Sequence, residues 1–89
     1  MTPITRVVTP YMVMRGGRPV AVFRLSEIPD KTWIMTFRER AILSHFDPFS
    51  FKFSGEEIAI TPLSPMELSD LKAAVDRFMR GANIDTGRT

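Results

Sequence analysis

Eighty-nine residues with 44% hydrophobic and 25% charged side chains have the size and make-up of one globular domain, which excludes a disordered chain. The absence of cysteine excludes disulfide staples and thiolate metal sites, so the core must supply the stability unless a second chain helps. The net charge of +2 conceals an asymmetry: Arg6, Arg15, Arg18 and Arg24 precede Glu27 with no acid among them, whereas acids outnumber bases from Phe46 onward.

Met1 to Val8 lacks the basic-then-apolar pattern of a targeting segment. Apolar runs such as Tyr11 to Met14 are strand-sized and too short to cross a bilayer. The expectation is a cytoplasmic protein with no membrane partner.

Arg6 to Leu25 reads as a β-hairpin around Gly16-Gly17, a two-residue loop that accepts positive φ at both positions. That loop sets Arg15 opposite Arg18, Val13 opposite Val20 and Tyr11 opposite Val22. Met12, Met14, Ala21 and Phe23 then share the other face, so both faces carry large apolar groups. A half-exposed antiparallel hairpin would show polar alternation instead. One face is therefore expected to pack on the core. The other should meet a second partner, most simply another copy of the chain in a homodimer, or else a heterologous target.

Ser26 to Lys31 is a polar connection, and Thr32 to Phe37 reads as a middle strand with Trp33, Met35 and Phe37 on one side. Arg38 to Phe46 fits either a helical turn through Ala41, Ile42 and Leu43 or a continuation of the sheet, the turn being preferred. Asp47-Pro48 ends it. In the second hairpin Phe49, Phe51 and Phe53 alternate with Ser50, Lys52 and Ser54. Beyond Gly55-Glu56, Ile58 and Ile60 alternate with Glu57, Ala59 and Thr61, so that Phe53 pairs with Ile58 and Phe51 with Ile60.

A helix follows from about Pro65 to Arg80. Ser64 and Glu67 have capping-box spacing, Pro65 takes the first turn, and Leu63 can staple onto Leu68. Leu68, Leu71, Val75, Phe78 and Met79 recur at helical spacing, and Gly81 reads as the stop. The expected fold class is α+β: an antiparallel sheet of four to five strands, made of two hairpins and a middle strand, packed against one C-terminal amphipathic helix. The domain spans 1–83, and 84–89 is expected to be a frayed tail.

Catalytic chemistry finds no foothold. His45 is the sole histidine, it lacks carboxylates at ligand spacing, and it is expected to be a partly buried structural residue near a strand end. Glu56-Glu57 reads as solvated charge in a turn, and Gly16-Gly17 lacks the later glycine and lysine of a phosphate loop. No enzyme activity, metal or cofactor is expected. Met12, Met14 and Met35 are read as core fillers.

Arg15 and Arg18, opposed on a hairpin, repel each other unless solvent screens them or an anion binds between them. With Arg6, Arg24, Arg38, Arg40, Tyr11 and Val13 they form the candidate surface for binding a partner or an anion. The functional expectation is a small protein-binding inhibitor or regulator of a larger complex. Phage-encoded inhibitors of bacterial defence, anti-CRISPR proteins included, are similar in size and style. The alternative is direct nucleic-acid binding through the arginine-rich first hairpin.

Overall fold

The computed structural model describes residues 2–61 and 68–88. The first hairpin forms in the expected register: β1 (Tyr11–Arg15) pairs with β2 (Arg18–Arg24), placing Tyr11 opposite Val22, Val13 opposite Val20 and Arg15 opposite Arg18. Gly16 and Gly17 take φ of 58° and 77°, which β-carbon-bearing residues rarely adopt. The second hairpin, β3 (Phe51–Ser54) and β4 (Glu57–Ile60), also has the predicted register, with Phe53 opposite Ile58 and Phe51 opposite Ile60. β4 docks antiparallel on β2, giving one four-stranded sheet in the order β1-β2-β4-β3.

The middle strand does not form. Lys31–Leu43 is a helix, α1, and the fold has two helices instead of one. Asp30 starts it as N-cap, its Oδ1 accepting the Trp33 amide at 2.8 Å. Trp33, Phe37 and Ala41 lie four residues apart and are fully buried, whereas Met35 is 54% exposed. The alternation of Trp33, Met35 and Phe37 suggested a strand, but Met35 points outward on a helix. Exposed Ile42 and Leu43 blur the amphipathic pattern further. The helical reading of Ala41 to Leu43 holds, but as the end of α1 and not as an isolated turn.

α1 ends in a Schellman arrangement. Phe46 donates its amide to the Ala41 carbonyl at 2.9 Å and His45 to the Ile42 carbonyl at 3.0 Å, with His45 at φ 64°. His45 is exposed at this helix end, not partly buried beside a strand. Asp47 then caps a single 3-10 turn, Pro48–Ser50, through the Phe49 amide.

The second helix, α2, spans Leu68–Asp85 and runs through Gly81. The expected cap residues Ser64, Pro65 and Glu67, and the Leu63 staple, lie outside the described residues. The stop is Gly87, at φ 75°: Arg88 donates to the Asn83 carbonyl at 2.7 Å and Gly87 to the Ile84 carbonyl at 3.2 Å. The segment after Asn83, expected to fray, therefore continues the helix and closes it. Arg88 is only 6% exposed, and its guanidinium bonds Glu27, Asp30 at 3.4 Å and the Thr2 carbonyl at 3.1 Å.

Both helices cover the same face of the sheet. Phe23, Phe51, Ile58 and Ile60 meet Trp33, Phe37, Leu71, Val75 and Phe78 in one core. Phe78 is 1% exposed, with its ring 5.6 Å from Phe37 and 6.0 Å from Phe51, as the helix-on-sheet expectation required. Among the described residues no helix is long and apolar enough to cross a membrane.

Candidate interaction surface

Two opposed strands joined by a two-residue turn exchange both backbone bonds at the pair flanking that turn, and at every second pair beyond it. Arg15, Val13 and Tyr11 therefore point their amides and carbonyls at β2, while those of Met12 and Met14 point away from the sheet. The neighbouring bonds agree: the Arg24 carbonyl accepts Val7 on the β1 side, and Leu25 donates to Glu56 on the β4 side. Pro19 shares the parity of Ala21 and Phe23, so its missing donor costs β1 nothing. Among the described residues no strand lies beyond β1, so Met12 and Met14 offer an open ladder.

That edge is apolar, and its side chains are exposed. Tyr11 is 42%, Met12 46% and Met14 67% exposed, and Val7 and Val8 continue it at 54% and 47%. The methionines are not core fillers, and neither is Met35. Between the Arg6–Leu25 bridge and the Tyr11–Val22 pair, four residues oppose two, a bulge that ends the regular edge at Tyr11.

The two apolar faces of the hairpin divide differently from expectation. β2 is buried on both: Ala21 and Phe23 face the core, and the outward Val20 and Val22 are 6% and 0% exposed. Their cover comes from within the chain. Arg15 on β1 forms a two-pronged pair with Glu57 on β4, at 2.9 and 3.1 Å. Both side chains leave the outer face, so the pair spans β2 above those valines. The hydrogen bonds from Arg15 hold the Glu57 carboxyl below its ordinary range, with the charges of Arg15 and Arg24 adding to the effect and burial opposing it. The same hydrogen bonds raise Arg15. Within the hairpin, the exposed apolar side chains are thus those of β1.

The eight candidate residues do not form one patch. Tyr11, Val13, Arg15, Arg18 and Arg24 share the outer face of the sheet by register. Arg6 sits against α2, bonding Asp76 through Nε and Nη2, each at 3.2 Å. Arg38 donates to the Pro48 and Phe51 carbonyls at 3.3 and 3.1 Å and lies over the Phe53 ring. Arg40 bonds Asp85 at 2.7 Å and lies over Gly81, where an added Cβ would come within 2.8 Å of its Nε. Among the described residues only Arg18 and Arg24 of these six arginines have neither an ion pair nor a side-chain hydrogen bond.

Beside the Arg15–Glu57 pair the outer face holds an open concavity of about 400 Å³, floored by Val20 and Ala59. Among the described residues Arg15, Arg18 and Lys52 line it against one carboxylate, Asp47, and Phe49, 77% exposed, stands at its side. Lys52 and Phe49 escape the sequence reading, because the alternation of the second hairpin groups Phe49 with Phe51 and Phe53, and Lys52 with the serines. Met12 and Met14 escaped it because apolar alternation does not say where a sheet outgrows its helices. Elsewhere Glu57 is held by Arg15 and Glu56 is exposed. Among the described residues no three His, Cys, Asp or Glu side chains cluster. No protein-family model, curated protein or solved structure matches this chain.

Proposed function

We propose that this chain is a non-catalytic protein-binding module that inhibits or regulates a larger assembly by adding the edge of β1 to a partner. The carrying observation is that edge: an open ladder at Met12 and Met14, flanked by exposed Tyr11, Val7 and Val8. Folded proteins usually guard such edges with inward-pointing charge, proline or a covering loop, and strand addition is an established mode of recognition. Tyrosine and methionine are enriched at interfaces. Four of the six candidate arginines are engaged inside the fold, which favours a protein partner over a basic nucleic-acid stripe. By analogy of size with phage inhibitors, a nucleic-acid-processing assembly is the first class of partner to try. The test is co-precipitation from a candidate host with the intact chain and with Met12→Lys/Met14→Lys, whose exposed positions leave the core untouched. Loss of capture is expected; capture by the double variant at the parental level would overturn the reading.

A second reading, direct nucleic-acid binding, is favoured by the outer-face concavity, where Arg18 and Lys52, which form no ion pair among the described residues, stand beside exposed Phe49. It requires that single-stranded oligonucleotide binding weaken with salt, by about 0.7 in the log–log slope per neutralised phosphate. It also requires that Arg18→Glu abolish binding.

A further inference from the structure

We infer that the occupant of the β1 edge is a second copy of this chain, paired antiparallel with its two-fold axis at Val13. This rests on the strand-addition reading: the second copy holds the edge in the free protein, and a target assembly takes the edge by displacing that copy.

The regular edge is five residues long, bounded by the bulge before Tyr11 and by the Gly16-Gly17 turn. Only a two-fold at Val13 overlaps two such segments completely. A two-fold at Met12 would bring Pro10, which has no N–H, opposite Met14. A two-fold at Met14 would bring the turn residue Gly16 opposite Met12. At Val13, each Met12 lies opposite the partner's Met14. These are the residues whose amides and carbonyls point outward, so each such pair exchanges two backbone bonds.

The side chains match as well. On the helix side Met12 lies beside the partner's Met14, removing from water the two most exposed apolar groups of β1. On the outer side the two Val13 residues meet at a non-hydrogen-bonded pair, where side chains approach most closely. Tyr11 lies opposite the partner's Arg15, an aromatic face against a guanidinium. That guanidinium is already balanced by Glu57 of its own chain, so pairing brings no naked like charges together. The axis runs perpendicular to the sheet and leaves the helices of both copies on one side.

The test uses the full chain, which contains no cysteine of its own. Sedimentation at rising concentration is expected to show a dimer that Met12→Lys/Met14→Lys returns to monomer. Under mild oxidation Val13→Cys should cross-link two copies, because directly opposed residues have Cβ atoms roughly 4.5–5.5 Å apart. Met14→Cys should not, because its own copy lies two positions, roughly 7 Å, further along the partner strand. A dimer in which Met14→Cys cross-links faster than Val13→Cys, or one that survives the lysine pair, would overturn the register. A monomer at every concentration overturns self-pairing. If in that case the lysine pair still abolishes capture of another protein, the strand-addition reading stands alone, and if it changes nothing both readings fall.

Discussion

Asn83 joins three chain segments that no periodicity links. Its Oδ1 accepts the Ile4 amide at 3.0 Å and the Trp33 indole N–H at 2.9 Å, and its Nδ2 donates to the Ile4 carbonyl at 2.9 Å. The side chain is buried, so replacing it by alanine strands three polar groups away from water. Asn83→Ala should cost about 3 kcal/mol, read as a lower denaturation midpoint at unchanged slope. His45 offers the opposite case. It stands at φ 64° at the end of α1, where glycine carries no Cβ penalty. His45→Gly should raise stability by about 0.5–1 kcal/mol, the looser unfolded chain offsetting part of the gain. A melting temperature equal to or below the parent's would contradict that account of the turn.

The two helices meet where Arg40 lies over Gly81, and glycine inside a helix normally costs about 1 kcal/mol against alanine. An alanine there would push Arg40 aside and break its exposed pair with Asp85, itself worth at most about 1 kcal/mol. Gly81→Ala alone should therefore change stability little. In an Arg40→Ala background the same substitution should stabilise by close to 1 kcal/mol, a non-additivity that a double-mutant cycle reads directly. Equal effects in both backgrounds would mean that Arg40 does not hold the glycine in place. Chain order also explains why Gly81 reads as a stop: glycine near the end of an apolar repeat looks the same whether it stops a helix or admits a neighbour.

Two carboxyls that tie the molecule together are held below their ordinary range: Glu57 by its hydrogen bonds from Arg15, and Asp30 by the Trp33 amide and Arg88. A carboxyl lowered in the folded state contributes stability above its unfolded pKa and loses it as pH falls through the folded value. The melting temperature should therefore hold from neutral pH down to about pH 4 and then decline. Glu57→Gln should remove part of that decline while costing at most about 1 kcal/mol at neutral pH, since the pair is partly solvated. An acid limb identical to the parent's would place the responsible carboxyls elsewhere.

What the sequence determined by itself was local: both hairpins and their registers, because glycine turns and period-two alternation act between neighbours, and the middle of α2, whose apolar repeat is long. The α+β class follows from these alone. Only the tertiary structure decided the rest. The stretch from Thr32 to Phe37 is helical because Asp30 caps it and because Trp33, Phe37 and Ala41 find the sheet and α2, which a short alternating window cannot reveal. The six arginines, one cluster on paper, separate because the partners of four of them, Asp76, Glu57, Asp85 and two backbone carbonyls, arrive from distant parts of the chain. The hairpin's two apolar faces resolve into a buried β2 and an open β1 for a like reason. Alternation records which way a side chain points, and what lies in that direction depends on how far the helices and the Arg15–Glu57 pair extend across the sheet.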